Sequence, residues 1–173
     1  MSELVTKCES AKSAAQKLIN VSATEKNSAL IAIADALIKR TDEILSANQI
    51  DIDNAKNNGT REAMIDRLTL TPERIKGISD GVREVAALND PIGEVINMTQ
   101  RPNGLMIGKK RVPMGVIGII YEARPNVTVD AAVLCLKTSN ACVLRGGSEA
   151  INSNVAIMRI MQEAAYSCGI PKG

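Results

Sequence analysis

The sequence contains no histidine, tryptophan or phenylalanine, and its only aromatic residues are Tyr121 and Tyr166. Without histidine, these residues cannot form a Ser-His or Cys-His catalytic pair or a His-ligated metal site. With so few aromatic rings, the chain also lacks the stacking platform of proteins that bind RNA or single-stranded DNA. What remains is chemistry based on backbone groups, amides, thiols and charged side chains.

Neither sign of charge dominates. Lysine and arginine total 21, aspartate and glutamate total 19, and the formal net charge is +2 over 173 residues. Such a balance creates no field that would attract the chain to nucleic acid or to an anionic membrane. The longest uncharged apolar run, residues 112–121, is about half the length of a membrane-spanning helix. Glu3 and Lys7 argue against a secretion signal. We therefore expect a cytoplasmic protein with neither membrane nor nucleic acid as partner.

Cysteine is scarce, and no two of the four cysteines have C-x-x-C spacing. Cys8, Cys135, Cys142 and Cys168 each lie among apolar or small neighbours. This setting predicts buried, reduced thiols rather than disulfides or a metal site.

The first ninety residues have the pattern of amphipathic helices, with apolar residues recurring every three or four positions. Ser22 and Glu25 form a capping box at one helix start, and Thr71-Pro72 marks another. Thr41 or Asp42 is expected to cap the helix between them. The predicted buried stripe of the first helix comprises Leu4, Val5, Cys8, Ala11, Ala15, Leu18 and Ile19.

After residue 90 the pattern changes to that of strands. Pro102-Asn103-Gly104 between two extended segments predicts a β-hairpin. The later strands are almost wholly apolar, which is typical of a parallel sheet covered on both faces. The predicted elements are strands at 94–100, 105–112, 114–121 and 141–144, and helices at about 127–136 and 150–166, the last with Val155 facing inward.

Three motifs resemble those of the aldehyde dehydrogenase superfamily. Pro113-Met-Gly-Val116, Arg124-Pro-Asn126 and Arg145-Gly-Gly-Ser-Glu149 correspond to its Pro-x-Gly-Val strand, Pro-Trp-Asn turn and Lys-Pro-Ser-Glu turn. Tyr121-Glu-Ala-Arg-Pro-Asn-Val-Thr-Val-Asp130 is closer to the branch that reduces an acyl phosphate of glutamate in proline biosynthesis. The resemblance extends over essentially the whole chain.

The resemblance and the element order together predict an α/β fold in three parts. Residues 1–90 would be a helical arm of the cofactor domain, and residues 91–113 a hairpin that mediates homo-oligomerisation. Residues 114–173 would begin a parallel, Rossmann-like sheet with the order β-α-β-α. Two strands leave sheet edges open, so we expect the N-terminal part of a larger protein. The resemblance places the catalytic cysteine in a second domain beyond residue 173, and we expect the chain to be inactive alone.

The resemblance further implies NADPH as cofactor and L-glutamyl 5-phosphate as substrate. Asn126 matches an amide of the oxyanion hole, where a neutral donor stabilises charge that develops in the transition state. Arg124 would bind the phosphate or carboxylate of the substrate. Two other interpretations stay open: Asn126 simply caps a helix, and Arg124 pairs with Glu122.

The predicted cofactor residues are Arg145, Gly146, Gly147 and Ser148, because ligands of open α/β sheets bind beyond the carboxyl ends of the strands. The glycines would let the backbone approach the ligand closely. By the resemblance, Arg145 holds the adenosine ribose, and Ser148 stands where NAD-preferring members place a glutamate. A carboxylate there would repel the 2′-phosphate of NADPH. The alternative is a ligand-free turn in which Ser148 caps the last helix.

Two other functions stay open at this stage. A non-catalytic helical interaction module would explain the helical first half and the absent nucleophile, but not the Arg145-to-Glu149 turn. A nucleic-acid binder using the basic residues of the hairpin ranks last because of the charge balance.

Overall fold

The computed structural model describes residues 2–173, which form seven α-helices and two two-stranded sheets. The helices are α1 (Glu3–Leu18), α2 (Ala23–Lys39), α3 (Thr41–Asn57), α4 (Glu62–Leu68), α5 (Pro72–Ala87), α6 (Pro125–Lys137) and α7 (Ile151–Ser167). The strands are β1 (Val95–Gln100), β2 (Met106–Lys110), β3 (Val116–Ile120) and β4 (Ala141–Arg145). The predicted α/β fold is confirmed: helices, then a hairpin, then β-α-β-α.

Local capping signals fix two helix starts as predicted. Ser22 Oγ accepts from the Glu25 backbone N–H at 3.2 Å, and Glu25 Oε2 accepts from the Ser22 backbone N–H at 2.8 Å. Thr71 likewise accepts from the backbone N–H of Arg74 at 3.2 Å. The cap predicted for α3 was wrong, because that helix already includes Thr41 and is preceded by Arg40 with no side-chain cap.

Helix α4 was not predicted from the sequence. It has seven residues, of which only Leu68 is buried, so no apolar stripe could reveal it. Short helices gain little from intrinsic propensity; this one is held by packing against α3.

Helix α2 lies at the centre of the core and packs against α5, α6 and α7. Leu30, Leu37, Ile75 and Ile157 are all nearly inaccessible to solvent. In the predicted stripe of α1, Ala11, Ala15 and Leu18 are buried. The prediction was wrong at both ends of the stripe, where Leu4, Val5, Cys8 and Ile19 are exposed. Val155 on α7 is also exposed, contrary to the prediction. The periodicity of apolar residues identifies the face of a helix that packs against the core. It does not show how much of the helix length is covered by neighbouring elements.

A buried carboxylate joins α3 to α7. Asp51 on α3 accepts hydrogen bonds from the backbone N–H groups of Asn152 (3.2 Å) and Ser153 (2.8 Å), and from both side chains. Asn48 extends this network to Ser153 Oγ and to the backbone at Leu68 and Leu70. Helix α7 has no cap from its own chain neighbours, so Asp51 satisfies its first N–H groups from a distance.

Two buried lysines connect α2, α5 and α6. Lys26 Nζ pairs with Asp90 at 2.5 Å and donates to Ser139 Oγ and the Lys137 carbonyl. Lys137 Nζ donates to the Ala86 carbonyl at 2.9 Å and to Asn27 at 2.7 Å. Burial, together with the charge of Lys26, lowers the pKa of Lys137, and the charge of Asp90 partly offsets this shift.

The hairpin and the parallel sheet differ in exposure. Strands β1 and β2 pair antiparallel and are exposed along their whole length. Strands β3 and β4 pair parallel through the α6 crossover. The predicted burial of β3 on both faces is not met in residues 2–173, because Ile120 is 79% exposed. No helix in the described range is long and apolar enough to cross a membrane.

Candidate functional site

The carboxyl ends of β3 and β4 lie side by side, as the parallel arrangement predicts. Ile120 pairs with Arg145, and the Tyr121 backbone N–H donates to the Arg145 carbonyl at 3.1 Å. The segment 121–126 therefore runs next to the segment 145–149. These two turns contain all the residues for which the sequence predicts a role.

Asn126 does not cap α6. The helix starts at Pro125, and its N-cap position is occupied by Arg124, whose side chain makes no capping bond. Asn126 is instead the second helical residue, and its Nδ2 donates to Oδ2 of Asp130 at 3.1 Å. The capping interpretation is thus wrong, and the amide is held in place by a carboxylate one helical turn away.

Arg124 lines an open cleft that we call the arginine cleft. The cleft has a volume of about 490 Å³ and is lined by Asp66, Arg67, Thr69, Leu70, Arg74, Gly77, Ile78, Arg124, Asn126 and Asp130. The guanidinium of Arg124 makes no ion pair with Glu122; the two residues are joined only through the backbone, from the Arg124 N–H to the Glu122 carbonyl at 2.8 Å. The predicted substrate cation and the predicted oxyanion donor therefore share one cleft.

The cations of the arginine cleft are not equivalent. Arg74 donates to Asp66 Oδ1 at 3.0 Å and to the backbone carbonyls of Asp66 and Thr69. Through these bonds Arg74 stabilises the connection between α4 and α5. Within residues 2–173, the guanidinium groups of Arg67 and Arg124 have no side-chain hydrogen bond or ion pair. These two remain available to an anionic ligand.

The predicted cofactor residues Arg145 and Ser148 are exposed at the ends of β4 and the turn that follows. Neither side chain has a hydrogen-bond partner in the part of the chain that the structure describes. Ser148 begins a short 3-10 turn and does not cap α7, so the capping alternative is wrong. It borders a second cavity of about 400 Å³, whose other lining residues are Asp51, Asn54, Ala55, Asn58, Thr60 and Glu149.

The two glycines of this turn are required to different degrees by the chain's own packing. A Cβ on Gly146 would collide with the amide nitrogen of Asn154 and approach the Tyr121 ring at 3.1 Å. A Cβ on Gly147 would meet the carboxylate of Glu149, which can move, and the Ala123 backbone nitrogen at 3.3 Å. Gly146 is therefore explained by close packing without a ligand.

Tyr121 and Asn154, which pack against Gly146, belong to a series of hydrogen-bonded polar side chains next to the turn. Tyr121 Oη lies 2.7 Å from Thr128 Oγ1, which in turn donates to Asn154 Oδ1 at 2.9 Å. The Asn154 amide nitrogen is buried with no hydrogen-bond partner in the described residues. These hydrogen bonds connect the end of β3 with α6 and α7, so all three elements fix the position of the turn.

The residues present fit a nicotinamide dinucleotide in part. The Arg145 guanidinium and the Ser148 hydroxyl, which have no partner among residues 2–173, stand beyond the carboxyl ends of parallel strands, where such ligands bind. The glycines do not add support, since Gly146 is needed by the protein itself. In residues 2–173 no three cysteine or carboxylate side chains are close enough together to hold a metal ion.

None of the four cysteines lies in the arginine cleft. Cys135 is buried, Cys142 and Cys168 are partly buried, and Cys8 is exposed, contrary to its predicted burial. The neighbouring Cys135 side chain and burial both raise the pKa of the Cys142 thiol. A raised thiol pKa leaves little thiolate at neutral pH and makes a poor nucleophile.

Sequence reasoning missed Arg67 and Asp130. Arg67 lies on the unpredicted helix α4, so no pattern pointed to its cleft. Asp130 follows Asn126 by four residues on a helix, a spacing that places two side chains on one face. That spacing was a usable signal.

Comparison with known proteins agrees with this architecture. The family model described as "Aldehyde dehydrogenase family" matches residues 2–173. The chain is 56% identical over 173 residues to a protein named gamma-glutamyl phosphate reductase from Caldicellulosiruptor bescii, covering 100% of this chain and 41% of that protein. It is 60% identical over 163 residues to one of the same name from Clostridium novyi, covering 94% and 39%. The chain thus spans about two fifths of these relatives.

Solved structures give the same result. The structure of gamma-glutamyl phosphate reductase from Thermotoga maritima superimposes with a TM-score of 0.96 at 45% identity, over 98% of this chain and 41% of that one. The protein of that name from Saccharomyces cerevisiae gives 0.91 at 29% identity, over 99% and 45%. A probable aldehyde dehydrogenase from Listeria monocytogenes shares the fold, with a TM-score of 0.70 at 20% identity, over 95% and 33%. The chain belongs to the aldehyde dehydrogenase family.

Proposed function

We propose that this chain is the N-terminal, cofactor-binding part of a gamma-glutamyl phosphate reductase. The whole enzyme would reduce L-glutamyl 5-phosphate to L-glutamate 5-semialdehyde and phosphate with NADPH, in the cytoplasm, as a step of proline biosynthesis. The observation that carries this proposal is the arginine cleft, which is lined by the amide of Asn126 and by two guanidinium groups that have no partner in the described part of the chain. An acyl phosphate needs anion binding next to an oxyanion donor.

The reaction proceeds by acyl transfer to a cysteine thiolate supplied by the remainder of the enzyme. The thiolate attacks the acyl carbon, the carbon–oxygen bond to phosphate breaks, and phosphate leaves with the bonding electrons. This gives a thioester, so that one difficult step becomes two easier ones. In this chain, the amide of Asn126 donates to the oxyanion that forms at the acyl carbon. Arg124 binds the phosphate or the carboxylate of the substrate.

When bound, the nicotinamide group supplies the hydride that reduces the thioester. Arg145, Gly146, Gly147 and Ser148 would hold the adenosine end of the cofactor. The Arg145 guanidinium would pair with a 2′-phosphate, and the Ser148 hydroxyl would donate a hydrogen bond to it. In this proposal residues 1–90 and 114–173 contribute to the cofactor domain, and the hairpin at 91–113 joins subunits of a homo-oligomer.

The activity is tested on a full-length enzyme built by joining this chain to the remaining sequence of the Caldicellulosiruptor bescii relative. We expect oxidation of L-glutamate 5-semialdehyde by NADP⁺ that requires inorganic phosphate, followed as NADPH absorbance. The chain alone, under the same conditions, should give no signal. A full-length enzyme that is folded but shows no phosphate-dependent oxidation would contradict the proposed function.

The cofactor site is tested in the same enzyme by Arg145→Ala and Ser148→Glu, with Arg101→Ala at the hairpin as a matched control. Loss of a charge-assisted contact typically costs about 1.5–3 kcal/mol, or roughly 10- to 100-fold in affinity. We expect each change at the turn to weaken NADPH binding by that factor and NADH binding much less, as measured by fluorescence titration. Equal losses for both cofactors would show that Arg145 and Ser148 do not select the 2′-phosphate.

A further inference from the structure

Among residues 2–173, one carboxylate in the arginine cleft has no cationic partner. Asp130 shares the cleft with Arg67, Arg74 and Arg124, yet it forms no ion pair with any of them. Its one side-chain hydrogen bond within residues 2–173 comes from the neutral amide of Asn126, at 3.1 Å. A carboxylate that faces a cleft full of guanidinium groups and pairs with none is free to accept another cation.

The surroundings of Asp130 favour a charged ligand. Asp130 is exposed, yet desolvation at the cleft raises its pKa, and the hydrogen bond from Asn126 only partly opposes this shift. Desolvation of this kind weakens the ionised form until an opposite charge arrives within about 4–6 Å. A cation bound beside Asp130 would therefore lower this pKa again.

The remaining charges of the cleft fit a ligand that carries both signs. Arg74 is occupied by Asp66 and by backbone carbonyls, which leaves Arg67 and Arg124 as its free cations. The cleft thus offers two guanidinium groups to anions and one carboxylate to a cation. A ligand with only anionic groups, such as a dicarboxylate or a simple acyl phosphate, would place a negative charge next to the Asp130 carboxylate.

The contact between Asn126 and Asp130 is compatible with a glutamyl chain bound by both groups. Asn126 Nδ2 and Asp130 Oδ2 lie 3.1 Å apart, so two atoms of one ligand that each form a hydrogen bond of about 2.9 Å to one of these groups can stand about 5 Å from one another. In glutamate, four bonds separate the α-nitrogen from the δ-carbon, a span of about 5 Å with bonds of ~1.5 Å. A substrate whose acyl oxygen accepts from the Asn126 amide can therefore place its α-nitrogen beside the carboxylate of Asp130.

We propose that Asp130 binds the α-ammonium group of the substrate and so selects an α-amino acid derivative over the same acyl compound without its amino group. Arg67 and Arg124 are the cations available to the two anionic groups of that substrate. This inference rests on the proposed function and names the specificity-determining residue of its substrate site.

The test compares two aldehydes in the full-length enzyme described above. L-glutamate 5-semialdehyde carries the α-ammonium group, and 5-oxopentanoate is the same aldehyde chain without it. The readout is the ratio of kcat/KM for the first to kcat/KM for the second, with NADP⁺ and phosphate fixed. Asp130→Asn removes the charge but keeps an oxygen that can accept from Asn126. Asp80→Asn, at an exposed carboxylate on α5 outside the cleft, is the matched control.

We expect Asp130→Asn to lower the selectivity ratio at least about 10-fold, as for loss of a hydrogen-bonded charge. Asp130→Glu should retain part of the ratio, and Asp80→Asn should retain all of it. A purely structural role would lower activity on both aldehydes together and leave the ratio unchanged, which would overturn the inference.

Failure of the proposed function is distinguishable from failure of this inference. If the wild-type enzyme oxidises neither aldehyde, the proposed function is wrong, and Asp130 is then tested by calorimetry with L-glutamate and glutarate as probes of the chain. Binding of L-glutamate tighter than glutarate, abolished by Asp130→Asn, would support the role of Asp130. Equal binding of the two, or a preference that survives Asp130→Asn, would overturn it.

Discussion

At the scale of single residues, the most constrained side chain is Asp51. It is 2% exposed and accepts four hydrogen bonds from Asn152 and Ser153. Two of the donors are N–H groups at the start of α7, where a negative charge also interacts favourably with the helix dipole. A buried carboxylate is tolerated here because its oxygens are fully used.

Asp51→Ala should destabilise the chain by about 2–4 kcal/mol, because it removes charge-assisted bonds and leaves buried donors unsatisfied. The measurement is urea denaturation of the 173-residue chain, with the slope of the transition checked for constancy. Asp53→Ala on the exposed side of α3 is the control, since Asp53 only accepts from Gln49 at 2.7 Å. A loss no larger than that of the control would refute the role given to Asp51.

At this scale a sequence motif can locate a residue, while the role of that residue stays a prediction. Arg124 and Asn126 could be singled out because they stand in a recognisable turn, and the structure brings both into the arginine cleft. Arg67 and Asp51 could not be, because each acts through elements far away along the chain. Asp51 meets Ser153 across 102 positions, and such a pairing depends on how the helices pack.

At the scale of secondary structure, the capping box of α2 is a local device with a definite pH dependence. The Ser22 hydroxyl and backbone N–H lower the pKa of the exposed Glu25. A carboxyl group whose pKa is lower in the folded state contributes its stabilisation in full above its ordinary pKa of 4.5. That contribution is lost as the pH falls through the folded-state value.

Glu25→Gln should therefore flatten the dependence of stability on pH below about 4.5 while changing stability little in strongly acidic solution. Thermal unfolding of both proteins between pH 3 and pH 7 measures this difference. Glu9→Gln, at an exposed position in α1, should leave the pH dependence unaltered. Parallel stability curves for the wild type and Glu25→Gln would contradict the capping role.

The first residues of helices were easier to predict than the exposure of side chains along helices and strands. Ser22, Glu25 and Thr71 act on neighbours three residues away, so the sequence contains all the information needed. The exposure of Leu4, Ile19 and Ile120 depends on which surfaces lie opposite. Helix α4 escaped prediction because it is short and only Leu68 is buried.

At the scale of the whole molecule, the hairpin is the least covered region. Met98 and Met106 are each more than half exposed, and the register places them on one face, because Met98 pairs with Gly108 and Gln100 with Met106. The Met98 side chain lies across Gly108 on that same face, with its sulfur 3.1 Å from where a Cβ would stand. Apolar side chains grouped on an open two-stranded sheet are typical of association surfaces.

We expect the chain to self-associate through this face, and Met98→Lys to weaken association at least about 10-fold, or about 1.4 kcal/mol. Sedimentation velocity over a concentration series gives the association constant. Thr99→Lys adds the same charge to the opposite face, since successive strand residues alternate, and should have a smaller effect. A wild-type chain that stays monomeric throughout the series would contradict this expectation.

The bond from Asp51 to the start of α7 also sets an order of events during protein synthesis. Asp51 emerges from the ribosome 102 residues before Ser153, an interval of about 5–20 s at ~5–20 residues per second. Throughout that time the Asp51 carboxylate on α3 lacks the donors of Asn152 and Ser153 that it binds in the folded protein. We therefore expect the nascent helical region to stay hydrated around Asp51 until the first turn of α7 has been made.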